Sequence, residues 1–408
     1  MKKILIICHY AQQPPFNTML RYHNWGKELV KRGYEVTILA ASTIHNTDID
    51  IVDKIGKTED TCDGISYKYI NAPRYSGNGF KRIVNMLTFC FGMRRFRKLK
   101  PDLIITCEAY LFPFVKKYYK GVPIVTDTVD LWPESIIEYA GYSKSNPIIK
   151  ALYLFEKNAY IKSNALIFSM EGGKDYLLNQ KYSCKIDYSK VFHINMGCDL
   201  STCDKYLKEY NESIEWDKSK FNIVYCGSIR KANQVIQICE AAKQLLELGV
   251  DNVDFHIYGN GEELQYIKSF VEDNNVSNVH FYGRFKKEHI PGILSNADAC
   301  LLTYKQVYLM KYGGSQSKLF DYLASGTPII CNAKWGYNLI ERYNCGLVTE
   351  EQTPEAFVKA ILILVNMSEY EIKELGNNGR KVAEMYDQPV LVDELINVLD
   401  FINERCIE

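Results

Sequence analysis

Three segments place glycine beside charged residues where an apolar run gives way to a helical pattern. The first is Tyr225-Cys226-Gly227-Ser228-Ile229-Arg230-Lys231. Gly227 allows a tight turn out of a strand, and a helix is expected from about Ala232. A helix N-terminus carries partial positive charge and free N–H groups, so Arg230 and Lys231 beside it make a candidate diphosphate site. The second is Ile257-Tyr258-Gly259-Asn260-Gly261-Glu262-Glu263. By itself this Gly-x-Gly is weak, because a tight turn needs glycine with or without a ligand. The third is Gly313-Gly314-Ser315-Gln316-Ser317-Lys318-Leu319-Phe320-Asp321, which runs on to Gly326-Thr327-Pro328. Lys318 and Asp321 are three apart and share one helical face. The Asp321 carboxylate could accept hydrogen bonds from two ribose hydroxyls, and the amides around Gly314 and Ser315 could meet phosphate. The competing readings are an exposed basic turn at Arg230-Lys231 and a surface ion pair between Lys318 and Asp321.

The elements that must position these residues alternate. Residues 4–8, 36–40, 103–107, 124–126, 165–168 and 191–194 are short apolar runs that read as strands, and residues 18–31 read as a helix. Continuous runs of Ile, Val and Leu indicate strands buried on both faces. Strand–helix alternation then implies a parallel sheet. The pattern breaks at the polar residues 201–219 and restarts with runs at 222–226, 253–258, 279–282, 299–303 and 328–331. The expected fold class is therefore α/β, with two doubly wound Rossmann-like domains facing a central cleft. The expected boundaries are 1–200, a linker at 201–219, a second domain at 220–385, and a helix at 386–408. Leu391, Leu395, Val398, Leu399 and Phe401 are helically spaced there, which suits a tail packing back on the first domain. Such sheets bind ligands at the carboxyl ends of their strands.

Composition narrows the class. In 408 residues, 47% are apolar and 24% charged, an ordinary globular balance that excludes a disordered or collagen-like chain. No apolar run reaches the ~18–20 residues of a membrane span. The start, Met1-Lys2-Lys3 followed by Ile4-Leu5-Ile6-Ile7, is too short for a signal peptide and reads as a first buried strand in a cytosolic protein. The 13 cysteines include no CxxC pair, so reduced, buried thiols are expected, and the spacing supports neither a zinc site nor a thiol nucleophile. The net charge is zero, yet residues 1–200 hold 28 Lys and Arg against 19 Asp and Glu. The basic first half would favour an anionic surface or ligand. Its charge concentrates between Lys81 and Lys100. There Ile83, Val84, Met86, Leu87, Phe89 and Phe91 precede Arg94, Arg95, Arg97 and Lys98 with no acidic residue. That combination points to docking on an anionic membrane surface; a core helix with a solvated basic end is the alternative.

Taken in order, Gly227 to Lys231, Gly259-x-Gly261, Gly283-Arg284, Ala297-Asp298 and the Ser-Lys-x-x-Asp-Tyr-x-x-x-Gly-x-Pro run resemble bacterial retaining glycosyltransferases of family 4, which have the GT-B fold. Lys31-Arg32-Gly33-Tyr34-Glu35-Val36-Thr37, Met196-Gly197-Cys198-Asp199 and Asn378-Gly379-Arg380 fit the same pattern. Asp130-Leu131-Trp132-Pro133-Glu134-Ser135 resembles members that build O-antigen and capsular polysaccharides. The resemblance implies transfer of a sugar from a nucleotide-sugar, of the UDP kind, to a polyprenyl-diphosphate-linked saccharide. It implies that Arg230 and Lys231 hold the donor diphosphate, that Asp321 binds ribose, and that the backbone at Gly283-Arg284 frames the base. Asp130, Trp132 and Glu134 would line the acceptor side, with Arg21 meeting an acceptor phosphate or capping a helix. Gly313 stands where the family usually has a glutamate, and Val129 where many members have histidine.

Transfer needs the leaving diphosphate stabilised, which fixed cations and aimed amides can do. Arg230, Lys231 and Lys318 suit that role, and Asp130 could orient the acceptor hydroxyl or cap a helix. No cofactor, no metal and no nucleic-acid partner are expected. The expected location is cytoplasmic, on the inner face of the membrane. A nucleotide-sugar epimerase or hydrolase of the same fold, and a non-catalytic sugar-nucleotide-binding subunit, remain alternatives.

Overall fold

The computed structural model describes residues 2–17, 19–45, 47–77, 79–210 and 214–407. Its contacts separate two compact units, Met1–Asn195 with Gln388–Glu408, and Met196–Asp387.

The first unit is built on β1 (Lys3–Ile7), β2 (Glu35–Ala41), β3 (Glu59–Cys62), β4 (Ile65–Ile70), β5 (Leu103–Thr106), β6 (Ile124–Thr128), β7 (Ala165–Phe168) and β8 (Val191–His193), in the order β3-β4-β2-β1-β5-β6-β7-β8. All pairs are parallel except β3 with β4. Strand β1 lies at the centre, and Ile4 to Ile7 are buried on both faces. The antiparallel edge is absent from the sequence reading. It follows from Asp63 and Gly64, both at positive φ (49° and 77°), which close a two-residue turn between the paired Cys62 and Ile65. The helix expected at 18–31 runs from Arg21 to Lys31 and buries Tyr22, Trp25 and Leu29; Thr18 lies outside the described residues. The helix Gln388–Ile407 belongs to this unit and buries Leu391, Val392, Leu395, Val398, Leu399 and Ile402. Arg32 bonds Asp393 at 2.7 Å and the Pro389 carbonyl at 3.0 Å, and Phe401 meets Phe192 edge-on.

The second unit is an all-parallel sheet of β9 (Phe221–Cys226), β10 (Val253–Tyr258), β11 (Val279–Gly283), β12 (Ala299–Leu302), β13 (Ile329–Cys331) and β14 (Gly346–Val348), ordered β11-β10-β9-β12-β13-β14. Two sequence expectations change here. Part of the expected linker, Leu200–Glu209, is a helix started by Asp199, whose carboxylate accepts the Thr202 N–H at 2.9 Å; residues 211–213 of that linker lie outside the described residues. The helix expected near Ala232 begins instead at Ile236, after a 3-10 turn at Lys231–Asn233. Gln234 at φ 48° separates the two and breaks the helical path. The helix Ser317–Ser325 buries Leu319, Phe320, Tyr322 and Leu323, and Glu369–Met385 crosses it so closely that a Cβ on Gly376 would lie 1.9 Å from the Gly326 oxygen. Arg380 bonds the Ala324 carbonyl and Asp204, both at 2.8 Å, which joins three helices of this unit.

One buried carboxyl in the first unit has a measurable consequence. Glu156 is fully buried and accepts from the hydroxyls of Tyr176 (2.5 Å) and Tyr182 (3.1 Å). Burial pushes its pKa up to about 8. The folded state therefore holds a proton that the unfolded state releases above about pH 4.5, so stability falls as pH rises from there to about 8. The decline amounts to a few kcal/mol, at about 1.4 kcal/mol for each pH unit crossed, and Glu156→Gln is expected to flatten it. Urea unfolding at pH 5 and pH 8.5, wild type against variant, measures it; an unchanged slope would contradict the assignment.

Candidate functional site

In the second unit the glycine segments stack on one another at the carboxyl ends of β9, β10 and β11. Gly227 donates to the Tyr258 carbonyl at 2.9 Å, Ile229 to the Asn260 carbonyl at 3.0 Å, and Gly259 to the Gly283 carbonyl at 2.8 Å. The approach is too close for side chains. A Cβ on Gly259 would lie 1.8 Å from the Gly227 oxygen, and one on Gly261 would lie 2.0 Å from the Ile229 oxygen. A Cβ on Gly227 would meet Lys318 at 2.8–3.0 Å. Gly314 faces Trp335, with only 2.3 Å between its would-be Cβ and the indole, and Ser315 is half-buried beside it.

This place is the switch point of the sheet, where β10 lies on one side of β9 and β12 on the other. Lys318 sits there with its ammonium 3.0 Å from the Tyr225 hydroxyl and over the rings of Tyr225 (4.5 Å) and Tyr304 (5.0 Å). No carboxylate pairs with it among the described residues. Burial lowers its pKa to about 7. One turn on, Asp321 is half-buried and makes no hydrogen bond or ion pair among the described residues; burial raises its pKa, and Lys287 opposes that. Lys318 and Asp321 are therefore not the surface ion pair that their spacing also allowed. Arg230 and Lys231 are exposed beyond Ile229. They open a 3-10 turn rather than a long helix, so the positive field there comes from their side chains.

Residues to which the sequence reading assigns no role hold this arrangement. The Tyr225 hydroxyl donates to the Ser228 carbonyl at 2.7 Å, and Asn233 donates to the Ser228 hydroxyl at 2.9 Å. The Cys226 N–H donates to the Tyr322 hydroxyl at 3.0 Å, which ties the helix Ser317–Ser325 to β9. Arg284 is exposed and lines an open recess of about 400 Å³ with Tyr258, Tyr282, Phe285 and His289; Tyr258 and Tyr282 stack at 4.3 Å. An aromatic cluster was readable only as scattered tyrosines until β10 and β11 were paired.

The first-unit candidates separate. Asp130 is exposed at the end of β6, and its carbonyl accepts the Trp132 N–H at 2.8 Å. It caps no helix, because the next one starts at Glu134 with Pro133 before it. Trp132 is half-buried under the Arg82 guanidinium at 5.5 Å. Glu134 is already engaged by Tyr153 (2.6 Å) and Lys144 (3.1 Å). Arg21 departs from both sequence readings. Its guanidinium is wholly buried, paired in two-pronged fashion with Asp127 at 2.8 and 3.0 Å, and donates to the carbonyls of Ile194 and Asn195. Every direction it could offer a phosphate is taken.

Residues 208–382 match the family described as glycosyl transferases group 1. This segment is a glycosyl transferases group 1 domain. A poly(ribitol-phosphate) alpha-N-acetylglucosaminyltransferase from Staphylococcus aureus is 23% identical over 244 residues, 59% of this chain and 44% of that protein. The chain spans about half the length of the curated relatives it matches. Among solved structures, a sucrose-phosphate synthase from Thermosynechococcus elongatus aligns with a TM-score of 0.78 at 14% identity, covering 99% of this chain and 100% of that one. Anabaena HepE in complex with UDP and glucose aligns at 0.68 and 12% identity, covering 98% and 100%. At such identities the structures establish the fold, which is GT-B.

The group 1 domain thus gathers Gly227, Gly259, Gly261 and Gly283 at the carboxyl ends of its strands, with Arg230, Lys231, Arg284, Gly314, Ser315, Lys318 and Asp321 on the loops and helix around them. Its weakest point to substitution is the glycine contact. Gly259→Ala must displace backbone and is expected to cost more than ~1–3 kcal/mol. Gly283→Ala meets nothing within 4 Å and carries only the penalty of φ 72°, about 1–2 kcal/mol. Urea unfolding of both variants tests the ranking.

Proposed function

We propose that this chain is a glycosyltransferase that moves a sugar, with retention, from a nucleotide-sugar donor of the UDP type to a lipid-linked saccharide acceptor in bacterial surface polysaccharide synthesis. The observation that carries the reading is the Lys318 ammonium, held without a carboxylate against Gly227 at the switch point of a group 1 domain. A half-buried cation with no counter-ion among the described residues suits an anionic ligand. The UDP bound to HepE supports the choice of nucleotide, and the Staphylococcus aureus relative's name supports a cell-surface polymer.

In this reading Lys318, Arg230 and Lys231 neutralise the diphosphate as its negative charge develops during bond cleavage. Asp321 takes the ribose hydroxyls, the recess at Arg284 takes the base, and the amides near Gly314 and Ser315 meet phosphate. Asp130 and Trp132 contact the acceptor. The leaving phosphate oxygen accepts the acceptor's proton on the same face of the sugar, so no enzymic nucleophile is invoked. The residues named require no metal for these roles.

Isothermal calorimetry with UDP tests the donor site. Asp321→Ala should weaken binding by ~1–3 kcal/mol, the range for a hydrogen bond to an ionised group. Lys318 loses its proton as pH rises through about 7. Affinity should therefore fall about tenfold per pH unit from about pH 7 up to the raised pKa of Lys318 in the complex and level off beyond it, and Lys318→Met should be weak and flat with pH. Unchanged affinity in Asp321→Ala combined with Arg230→Ala and Lys231→Ala would refute the site. Release of free sugar irrespective of a polyprenyl-diphosphate-saccharide would favour hydrolysis over transfer.

We also propose that the first unit docks on the inner face of an anionic membrane. No helix among the described residues is long and apolar enough to cross a membrane. The helix Phe80–Gly92 nevertheless leaves Phe80, Ile83, Leu87 and Phe91 exposed along one side, at 76%, 37%, 47% and 60%. Arg94, Arg95, Arg97 and Lys98, all exposed, follow directly. Each well-placed cation contributes about 1 kcal/mol at an anionic surface. In liposome flotation, replacing the four cations with Gln should reduce recovery with anionic vesicles at low salt while UDP binding stays intact. Equal recovery would exclude electrostatic docking.

A further inference from the structure

The carboxyl ends of β1 and β5 carry a second set of groups that sugar transfer does not use. These strands are parallel neighbours with Ile7 opposite Thr106, so Cys8 and Cys107 leave the sheet side by side. Glu108 follows. Its Oε1 accepts from the Cys8 thiol at 3.7 Å, its Oε2 contacts the Cys107 thiol, and the three ligand atoms all lie within 4.8 Å of one another. Zinc–sulfur and zinc–oxygen bonds of about 2.3 and 2.0 Å at a tetrahedral angle place sulfur and oxygen about 3.5 Å apart. The Cys8–Glu108 separation is close to that edge.

The surroundings leave these three groups without a positive charge. Beyond the thiols, Glu108 accepts the His9 N–H at 3.4 Å and its own backbone N–H, and no Lys, Arg or His side chain pairs with it among the described residues. His9 is fully buried, and both of its ring nitrogens are committed, to the Tyr110 hydroxyl at 2.9 Å and to Asn85 Oδ1 at 2.6 Å. Cys8, Cys107 and Glu108 are thus gathered with no cation bonded to them among the described residues, and a metal ion would bind there by displacing their protons.

We propose that Cys8, Cys107 and Glu108 bind a thiophilic divalent cation of the zinc type, with water completing a tetrahedron. Two thiolates and a carboxylate are a borderline-soft donor set that suits zinc rather than magnesium or calcium. The site pins the ends of β1 and β5 at the switch point of the first unit's sheet. The other close trio, His23, Cys62 and Asp63, is different. His23 already bonds the Tyr67 hydroxyl at 2.8 Å and Asp63 at 3.0 Å, so neither ring nitrogen is open to a metal.

Cobalt(II) is the probe, because thiolate-to-cobalt charge transfer absorbs in the near ultraviolet. Full-length chain, prepared with chelator and a non-thiol reductant and then freed of chelator, is titrated with CoCl₂ and afterwards with ZnCl₂. One equivalent of cobalt should develop the band, zinc should bleach it, and binding should release protons. Cys8→Ser and Cys107→Ser should each halve or abolish the band, Cys62→Ser should leave it, and UDP binding should be unchanged throughout. Glu108→Gln keeps both sulfurs and guards against misfolding of the cysteine variants; it should retain the band with at least tenfold weaker affinity. Absence of the band in wild type, its persistence in the Cys8→Ser/Cys107→Ser double variant, or its loss in Cys62→Ser would overturn the proposal.

Discussion

The group 1 domain depends on how closely its backbone loops approach one another beyond the sheet. The carbonyl oxygens of Gly227 and Ile229 occupy the volume that side chains at 259 and 261 would need. Only hydrogen remains at those positions, so the loops continue the β9–β10 ladder past its last strand residues. That continuation leaves room above Gly227 for the Lys318 side chain. The ammonium is then fixed from below by Tyr225 and from the side by Tyr304. The glycines act by what they permit to come near, whether or not a phosphate lies against them.

Three buried ionisable arrangements in this chain meet the cost of desolvation in different ways. Arg21 and Asp127 are fully buried and satisfy each other with two parallel hydrogen bonds, and backbone carbonyls take the remaining guanidinium protons. Such a pair is costly to break and specifies how the helix Arg21–Lys31 sits on β6. Glu156 has hydroxyls but no cation, and the carboxyl responds by holding its proton. Lys318, half-buried, has a hydroxyl and two aromatic faces but no anion among the described residues, and its pKa falls toward neutrality. The first arrangement is complete without a ligand. The last is the one an incoming anion would complete, and this separates a structural charge from a binding charge.

The two units share a parallel-sheet architecture but differ at their central strand ends. In the second unit the end of β9 carries glycine and is faced by a lysine. In the first, the ends of β1 and β5 carry thiols, a carboxyl and a buried histidine network. Strand ends at a switch point splay apart, and the groups placed there determine which ligand fits.

Much of this was legible in the sequence. Continuous apolar runs marked most strands of both sheets, because strands buried on both faces leave no polar positions; β3, β4 and β14, which are polar, alternating or very short, were missed. Glycine next to charge marked the loops at the carboxyl ends of β9 to β11, and the charge-free apolar run before Arg94 marked the exposed helix. The Asp63-Gly64 hairpin was also present as a local signal, though its polar strand lacked the apolar run that betrays a buried one. Other features had no local signature. Arg21 reads as a phosphate ligand or a helix cap until Asp127, 106 positions away, is brought against it. The spacing of Lys318 and Asp321 left an ion pair open beside the ligand-binding reading until the helix turned the lysine onto Tyr225 and left the carboxylate unbonded among the described residues. Cys8, Cys107 and Glu108 lack any metal-binding spacing because their proximity comes from strand pairing across about 100 residues. Periodicity records which face of an element is buried, whereas the partner of a buried charge is decided only when distant strands are laid side by side.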